Sequence, residues 1–141
     1  MKYILVYIVA VITISQGCTG KGPRRNDVLG TWVSNDGASF VFKEDGTFTG
    51  NSLPATYYTF HTSKEKVDGK KVNGSGIWEV ENDQNVKEVK LHFTKMDDVD
   101  INGFYSINMA GSNGISGNKP PWYLFEWKDE EGGERYKFVK K

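Results

Sequence analysis

Hydrophobic and polar residues alternate along most of the chain from about residue 28 onward, in short stretches separated by turn sequences. Residues 29–34 and 38–43 are two such stretches, with Asn35, Asp36 and Gly37 between them. A period of two residues is typical of β-strands with one buried face. An Asp-Gly pair favours the positive φ angles of tight hairpin turns. A second Asp-Gly pair follows at 45–46, so the pattern predicts a three-stranded meander.

The same alternation continues to the end of the chain. Further strands are predicted at 76–80, 88–93, 104–109, 122–128 and 135–139, and looser segments at 51–54, 64–74 and 110–119. Inward positions in the first five strands are predicted to be apolar: Phe40, Phe42, Phe48, Trp78, Val80, Val89, Leu91 and Phe93. No window has a sustained helical period, and 16 glycines in 141 residues are typical of a turn-rich fold.

About eight short strands joined in chain order by hairpins predict an all-β fold. The preferred architecture is an up-and-down antiparallel β-barrel. A β-sandwich is the alternative. Four Trp, seven Tyr and eight Phe supply abundant aromatic volume, and a small barrel has an interior that such side chains can nearly fill.

The N-terminus has a different pattern. Lys2 precedes a run of 12 apolar or nearly apolar residues, 3–14, interrupted only by Thr13. Such a run is typical of the central region of a secretory signal peptide. It is too short for a permanent membrane span, which needs roughly 20 residues.

Ser15, Gln16, Gly17 and Cys18 follow directly and resemble the bacterial lipobox, in which the cysteine is acylated and becomes the first residue. The resemblance implies a signal peptide at 1–17 and lipidation of Cys18. The Gly-, Pro- and charge-rich composition that follows predicts a flexible tether at 18–27 ahead of the barrel domain at 28–141. An ordinary free thiol is the other interpretation of this cysteine. Thr19 stands where an Asp would retain enteric lipoproteins in the inner membrane, so an outer-membrane location is expected.

Charge excludes one class of partner. Without residues 1–17 the chain carries 17 basic and 18 acidic residues, a net charge of −1, because only Lys2 is lost from totals of 18 and 18. No basic field is available for nucleic acid. Cys18 is the only cysteine, so an intramolecular disulfide is impossible.

Gly30, Thr31 and Trp32 on the first predicted strand resemble the G-x-W opening of lipocalins and their calycin relatives. Residues 42–48 and 76–80 are similar to the small lipocalin-like domains of bacterial lipoproteins. The resemblance implies that Trp32 packs across the barrel floor under a basic residue, Arg135 or Lys137. It also implies an internal ligand site, for which the candidates are Trp32, Phe40, Phe42, Trp78 and Phe125.

Little in the sequence points to catalysis or to a cofactor. Asp98, Asp100 and Asn102 match the first half of a calcium loop, but Met109 stands where the bidentate Glu is needed and the flanks are predicted strands. A polar hairpin turn is the preferred interpretation. No nucleophile elbow or paired histidines at metal spacing occur, so neither enzymatic activity nor a cofactor is expected.

Residues 122–127 carry aromatic side chains on both alternating faces. If Tyr123, Phe125 and Trp127 enter the core, Trp122 and Leu124 remain outside as a contact patch.

The sequence thus predicts a membrane-anchored, non-catalytic envelope lipoprotein with one of two functions. One is binding of a small apolar or amphipathic ligand in the barrel; the other is a protein-interaction module, such as an inhibitor, immunity-type or assembly accessory protein, using loops on a solid-cored barrel.

Overall fold

The computed structural model describes residues 21–58, 69–129, 131 and 133–141. Eight antiparallel strands pair in chain order, and the last pairs with the first to form a closed barrel. The predicted all-β, up-and-down barrel is therefore confirmed. Its strands are β1 (Gly30–Ser34), β2 (Ser39–Phe42), β3 (Thr47–Pro54), β4 (Lys71–Glu79), β5 (Glu88–Met96), β6 (Val99–Asn113), β7 (Lys119–Trp127) and β8 (Arg135–Lys140).

Two short α-helices accompany the strands, α1 (Arg25–Val28) before β1 and α2 (Ala55–Tyr58) after β3. A 3₁₀ turn, Ile115–Gly117, lies between β6 and β7. The end of the barrel that carries α1 and the connections at 43–46, 80–87 and 114–118 is called the lower end. The upper end carries α2, the turns at 35–38 and 97–98, and the β7–β8 connection.

Helix α1 closes the lower end. The indole Nε1 of Trp32 donates a hydrogen bond of 2.7 Å to the carbonyl of Val28, which is fully buried. The preceding Pro23 is also buried, and its carbonyl accepts a 2.7 Å hydrogen bond from the Val86 amide. Residues 23–27, which the sequence pattern predicts as part of a flexible tether, are thus packed against the barrel.

Aromatic rings fill the interior. Phe40 lies at its centre, with ring centroids 5.1 to 6.1 Å from those of Phe42, Phe48, Tyr58 and Phe138. Rings at such separations are in direct contact and add to the stabilisation from burial. The predicted inward orientation of β2 and the start of β3 is confirmed.

Glycine makes room for these rings on β4. A Cβ on Gly74 would lie 2.6 Å from the Phe93 ring, closer than carbon atoms can approach. Phe93 is fully buried and packs edge-on against Phe48 at 4.9 Å. The small residue on one strand therefore accommodates the large one on its neighbour, as interdigitated cores require.

Several strands are longer than the side-chain pattern predicts. β3 continues through 51–54, β4 begins at Lys71, and β6 includes 99–103 and 110–113. Pro120 and Pro121, which precede the strand predicted at 122–128, lie within β7 on the exposed surface. Backbone pairing extends these strands where side-chain alternation is weak.

Candidate functional site

Strand β7 has the opposite orientation to the predicted one. Leu124 pairs with Met109 on one side and Phe138 on the other, and all three are buried in the core. Trp122 is partly buried and packs against that core. The prediction that Trp122 and Leu124 form an exposed patch is wrong for Leu124, which is fully buried.

The outward side chains of β7 form an aromatic row covered by cations. Arg135 stacks over Phe125 at 4.3 Å and Trp127 at 4.7 Å from the ring centroids, and it also donates a hydrogen bond to the Tyr123 hydroxyl. Lys137 lies 4.8 Å from the Tyr123 ring. Phe125 retains only 6% exposure although it faces outward, so it lies outside the barrel interior proposed for it.

The other four candidate interior residues, Trp32, Phe40, Phe42 and Trp78, do face inward. Phe42 packs against Trp78 with a centroid distance of 5.5 Å. The Trp78 indole donates a 3.0 Å hydrogen bond to the carbonyl of Lys43, and Arg25 of α1 lies 4.4 Å over its ring. These rings contact one another and the lower end.

The base over Trp32 is Lys140, rather than Arg135 or Lys137. Its ammonium lies 5.5 Å from the Trp32 ring centroid and donates a 2.8 Å hydrogen bond to the carbonyl of Asp27. Strand pairing explains the difference, because Trp32 is opposite Lys140 in the β1–β8 register. Arg135 and Lys137 point to the outer surface.

A buried carboxyl lies near the upper end of the interior. Glu126 alternates with Leu124 on β7 and is 6% exposed. The hydroxyls of Tyr58 and Tyr105 donate to its two oxygens at 3.4 and 3.2 Å. Burial raises the pKa of Glu126 to about 8, although these two hydrogen bonds oppose the shift. At neutral pH the group is mainly the uncharged acid.

A second polar network lies on the rim beside it. Asp36 accepts hydrogen bonds from Lys71, from Ser34 and, at 2.6 Å, from the Tyr136 hydroxyl. Burial alone would raise the pKa of Asp36, but the hydrogen bonds from these partners hold it well below its usual range. This carboxylate is charged where Glu126 is not, because it has a cation and access to solvent.

A groove of about 560 Å³ runs along the outside of strands β4, β5 and β6. We call it the outer groove and define it by its outward side chains, which are Ile77, Glu79, Lys90, His92, Phe104 and Ser106. Ile77, His92 and Phe104 are successive partners across the three strands. The His92 and Phe104 rings stack 4.2 Å apart at 10°.

The outer groove has an apolar row across the three strands, formed by Ile77, His92 and Phe104, and a charged pair beside it. Ile77 is 53% exposed and Phe104 is 69% exposed. His92 is held upright by a 2.7 Å hydrogen bond between its Nε2 and the Asn102 side-chain oxygen. Glu79 and Lys90, one of each sign, are paired across the adjacent row.

The calcium-like segment forms a hairpin rather than a loop between helices. Asp98 adopts a left-handed conformation with φ of 65° in the turn between β5 and β6. Asp100 lies 3.9 Å from the Lys95 ammonium, and Asn102 is engaged by His92. Within 21–58, 69–129, 131 and 133–141, no group of three acidic, histidine or cysteine side chains is placed to hold a metal ion.

Sequence reasoning missed both Glu126 with its tyrosines and the outer groove. The available signal for Glu126 was a lone acid inside an apolar run.

The predicted signal peptide at 1–17, Cys18 and Thr19 lie outside the described residues. Among the residues that are described, no helix has the length and hydropathy to cross a membrane. Comparisons with family models, curated proteins and solved structures find no match to this chain.

Proposed function

We propose that this chain is a lipid-anchored, non-catalytic protein of the bacterial envelope whose barrel binds a partner protein through the outer groove. The observation that carries the proposal is the exposed apolar row of the groove, with Ile77 and Phe104 both more than half exposed. Large apolar side chains grouped on a surface mark interaction sites more often than isolated ones do.

The interior argues for an outer site. Phe40 and its ring neighbours occupy the centre of the barrel at contact distances. A ligand there would have to displace packed aromatic side chains, each of which contributes several kcal/mol to stability when buried, on the order of 3 to 5 for Phe. The solid-cored interaction module is therefore preferred to the internal ligand site.

The chemistry of the groove fits a protein surface. Its stacked His92 and Phe104 rings offer an aromatic anchor of the kind that dominates binding energy at protein interfaces. Glu79 and Lys90 beside it offer one charge of each sign, which favours orientation of a partner over net attraction. The buried acid Glu126 faces the interior, so it takes no part in this site.

The anchor and the type of fold are proposed on separate grounds. Lipidation rests on the lipobox resemblance at Cys18 after a signal-like run. A lipocalin-like assignment rests on Gly30, Thr31 and Trp32 in a closed barrel of eight strands, with Lys140 over the Trp32 ring. Together they favour an outer-membrane lipoprotein.

Native mass spectrometry of the full processed chain, extracted gently from its host membrane, tests the proposal. The expected spectrum contains a complex with a second protein, and the Phe104→Ala variant loses that complex while keeping its fold. A retained small molecule or lipid that survives in Phe104→Ala would contradict the outer site and support an internal one.

Val99→Ala is the matched control. Val99 is 62% exposed on the same strand, β6, but it is not among the residues of the outer groove. Loss of an exposed apolar side chain by itself should leave the complex intact. Equal loss of the complex in both variants would refute the assignment of the partner to the groove.

A further inference from the structure

An exposed loop projects from the lower end between β6 and β7. We call residues 112–121, which are the 3₁₀ turn together with the strand ends on either side of it, the lower loop. Ile115 at its tip is 87% exposed, the largest value among the exposed large hydrophobic side chains of the described residues. Pro120 and Pro121 are exposed as well, and Lys119 stands beside them. The loop therefore presents an exposed apolar side chain, two exposed prolines and a cation on one surface.

The lower loop is held in a defined position. A Cβ on Gly111 would lie 2.2 Å from the carbonyl oxygen of Lys119, so the returning strand packs directly on that glycine. The Asn113 side chain donates a 3.0 Å hydrogen bond to the carbonyl of Pro120. Trp122 packs against the core at the base of the loop. Ile115 is therefore presented by a fixed support.

The position of the tether brings this loop close to the bilayer. Pro23 is docked at the lower end by its hydrogen bond with Val86. Only four residues separate Pro23 from Cys18, and the five Cα-to-Cα steps between them span at most about 18 Å when fully extended. An acylated Cys18 would keep Pro23 within that distance of the membrane, and the lower end that carries the loop would face the bilayer.

The chemistry of the loop matches a lipid interface. Isoleucine gains from transfer to the boundary of the acyl chains, and a lysine beside it can reach anionic headgroups while its methylenes stay in apolar surroundings. Trp122 is of the type enriched at that depth. A groove of about 360 Å³ is lined by Trp122, Pro121 and Lys140 at the base of the loop.

We propose that the lower loop is a second membrane contact, with Ile115 entering the headgroup region of an anionic bilayer and Lys119 lying at its phosphates. This inference rests on the lipid anchor of the proposed function. It adds an orientation, because a second attachment point at the lower end restricts the tilt of the barrel axis relative to the membrane. The upper end then points away from the bilayer, and the outer groove remains on the side of the barrel.

Site-directed spin labelling tests the contact. In the lipidated chain Cys18 is blocked and no other cysteine exists, so Ile115→Cys accepts one nitroxide. The labelled chain is reconstituted in vesicles of phosphatidylethanolamine with phosphatidylglycerol as the anionic component. We expect the nitroxide at 115 to collide with dissolved oxygen several-fold more often than it does in water without detergent. Its collisions with a water-soluble nickel chelate should become correspondingly less frequent.

Val99→Cys is the control, since Val99 is similarly exposed at the upper end. Its nitroxide should stay fully accessible to the nickel chelate. If the chain floats with the vesicles and the label at 115 behaves like that at 99, the lower loop is not a membrane contact. If the unlabelled chain fails to float and mass spectrometry finds no acyl groups on Cys18, the anchor fails and this inference with it.

Discussion

Replacing Glu126 with Gln tests whether ionisation of the buried carboxyl lowers the stability of the folded chain, as its surroundings imply. The side chain is 6% exposed, and two tyrosine hydroxyls donate hydrogen bonds to it. Within the part of the chain that the structure describes, no cation forms a hydrogen bond or an ion pair with it. An ionised carboxylate in such a place is poorly solvated. Gln has nearly the same shape and cannot ionise, so it should relieve that cost at high pH.

The magnitude follows from the raised pKa of Glu126. The shift from 4.5 to about 8, at 1.36 kcal/mol per unit, corresponds to at most about 5 kcal/mol. Because the folded chain holds this proton more tightly than the unfolded chain does, its stabilising effect is complete below pH 4.5. The effect is lost progressively as pH rises to about 8. Glu126→Gln should therefore exceed the parent chain in stability by a few kcal/mol above pH 8.

Urea unfolding between pH 5 and 9, followed by tryptophan fluorescence, measures this difference. The parent chain should lose stability across that range, and Glu126→Gln should lose much less. Near pH 5, where Glu126 is the uncharged acid, the acid and the amide have nearly the same shape, so the two chains should differ by no more than about 1 kcal/mol. Glu79→Gln, at an exposed carboxyl on β4, is the control and should retain the parent pH dependence. Identical slopes for the parent chain and Glu126→Gln would refute the reasoning.

Two further changes test the packing. Gly74→Ala should lower the free energy of unfolding by about 1 to 3 kcal/mol, because its methyl group would overlap the Phe93 ring; an unchanged melting temperature would contradict the described contact. Arg135→Ala should cost about 1 kcal/mol through loss of the stacking on Phe125 and Trp127. Arg135→Lys should recover part of it, and equal melting temperatures for all three chains would show that the cation does not cover these rings.

Alternation of side chains was enough to predict the strands and the barrel. In a closed sheet the inner face is apolar and the outer face is polar, so each strand has a hydrophobic period of two. The same rule failed on β7. There Tyr123, Phe125 and Trp127 make a more apolar face than Leu124 and Glu126, yet they point outward. Arg135 covers the outer rings and two tyrosines satisfy the inner acid, and neither compensation is visible within the strand itself.

The outer groove was beyond sequence reasoning for a related reason. His92 alternates with the inward Leu91 and Phe93, so a period of two places it on the outer face, where the structure has it. Its stacking on Phe104 and its pairing with Ile77 depend on the register of three strands. Register is determined by bulges such as those near Ser75 and Phe93, and the side-chain pattern does not locate them.

Closure of the sheet also limits how a partner can recognise this protein. Among the residues that the structure describes, each of the eight strands pairs with a neighbour on both sides, so no strand has an edge that is open along its whole length to template an added strand. We therefore expect recognition at the outer groove, which lies on the face of paired strands, to use side chains. The outward residues of the groove contribute little to packing in the core. A few substitutions there would therefore change the choice of partner while the fold stays the same.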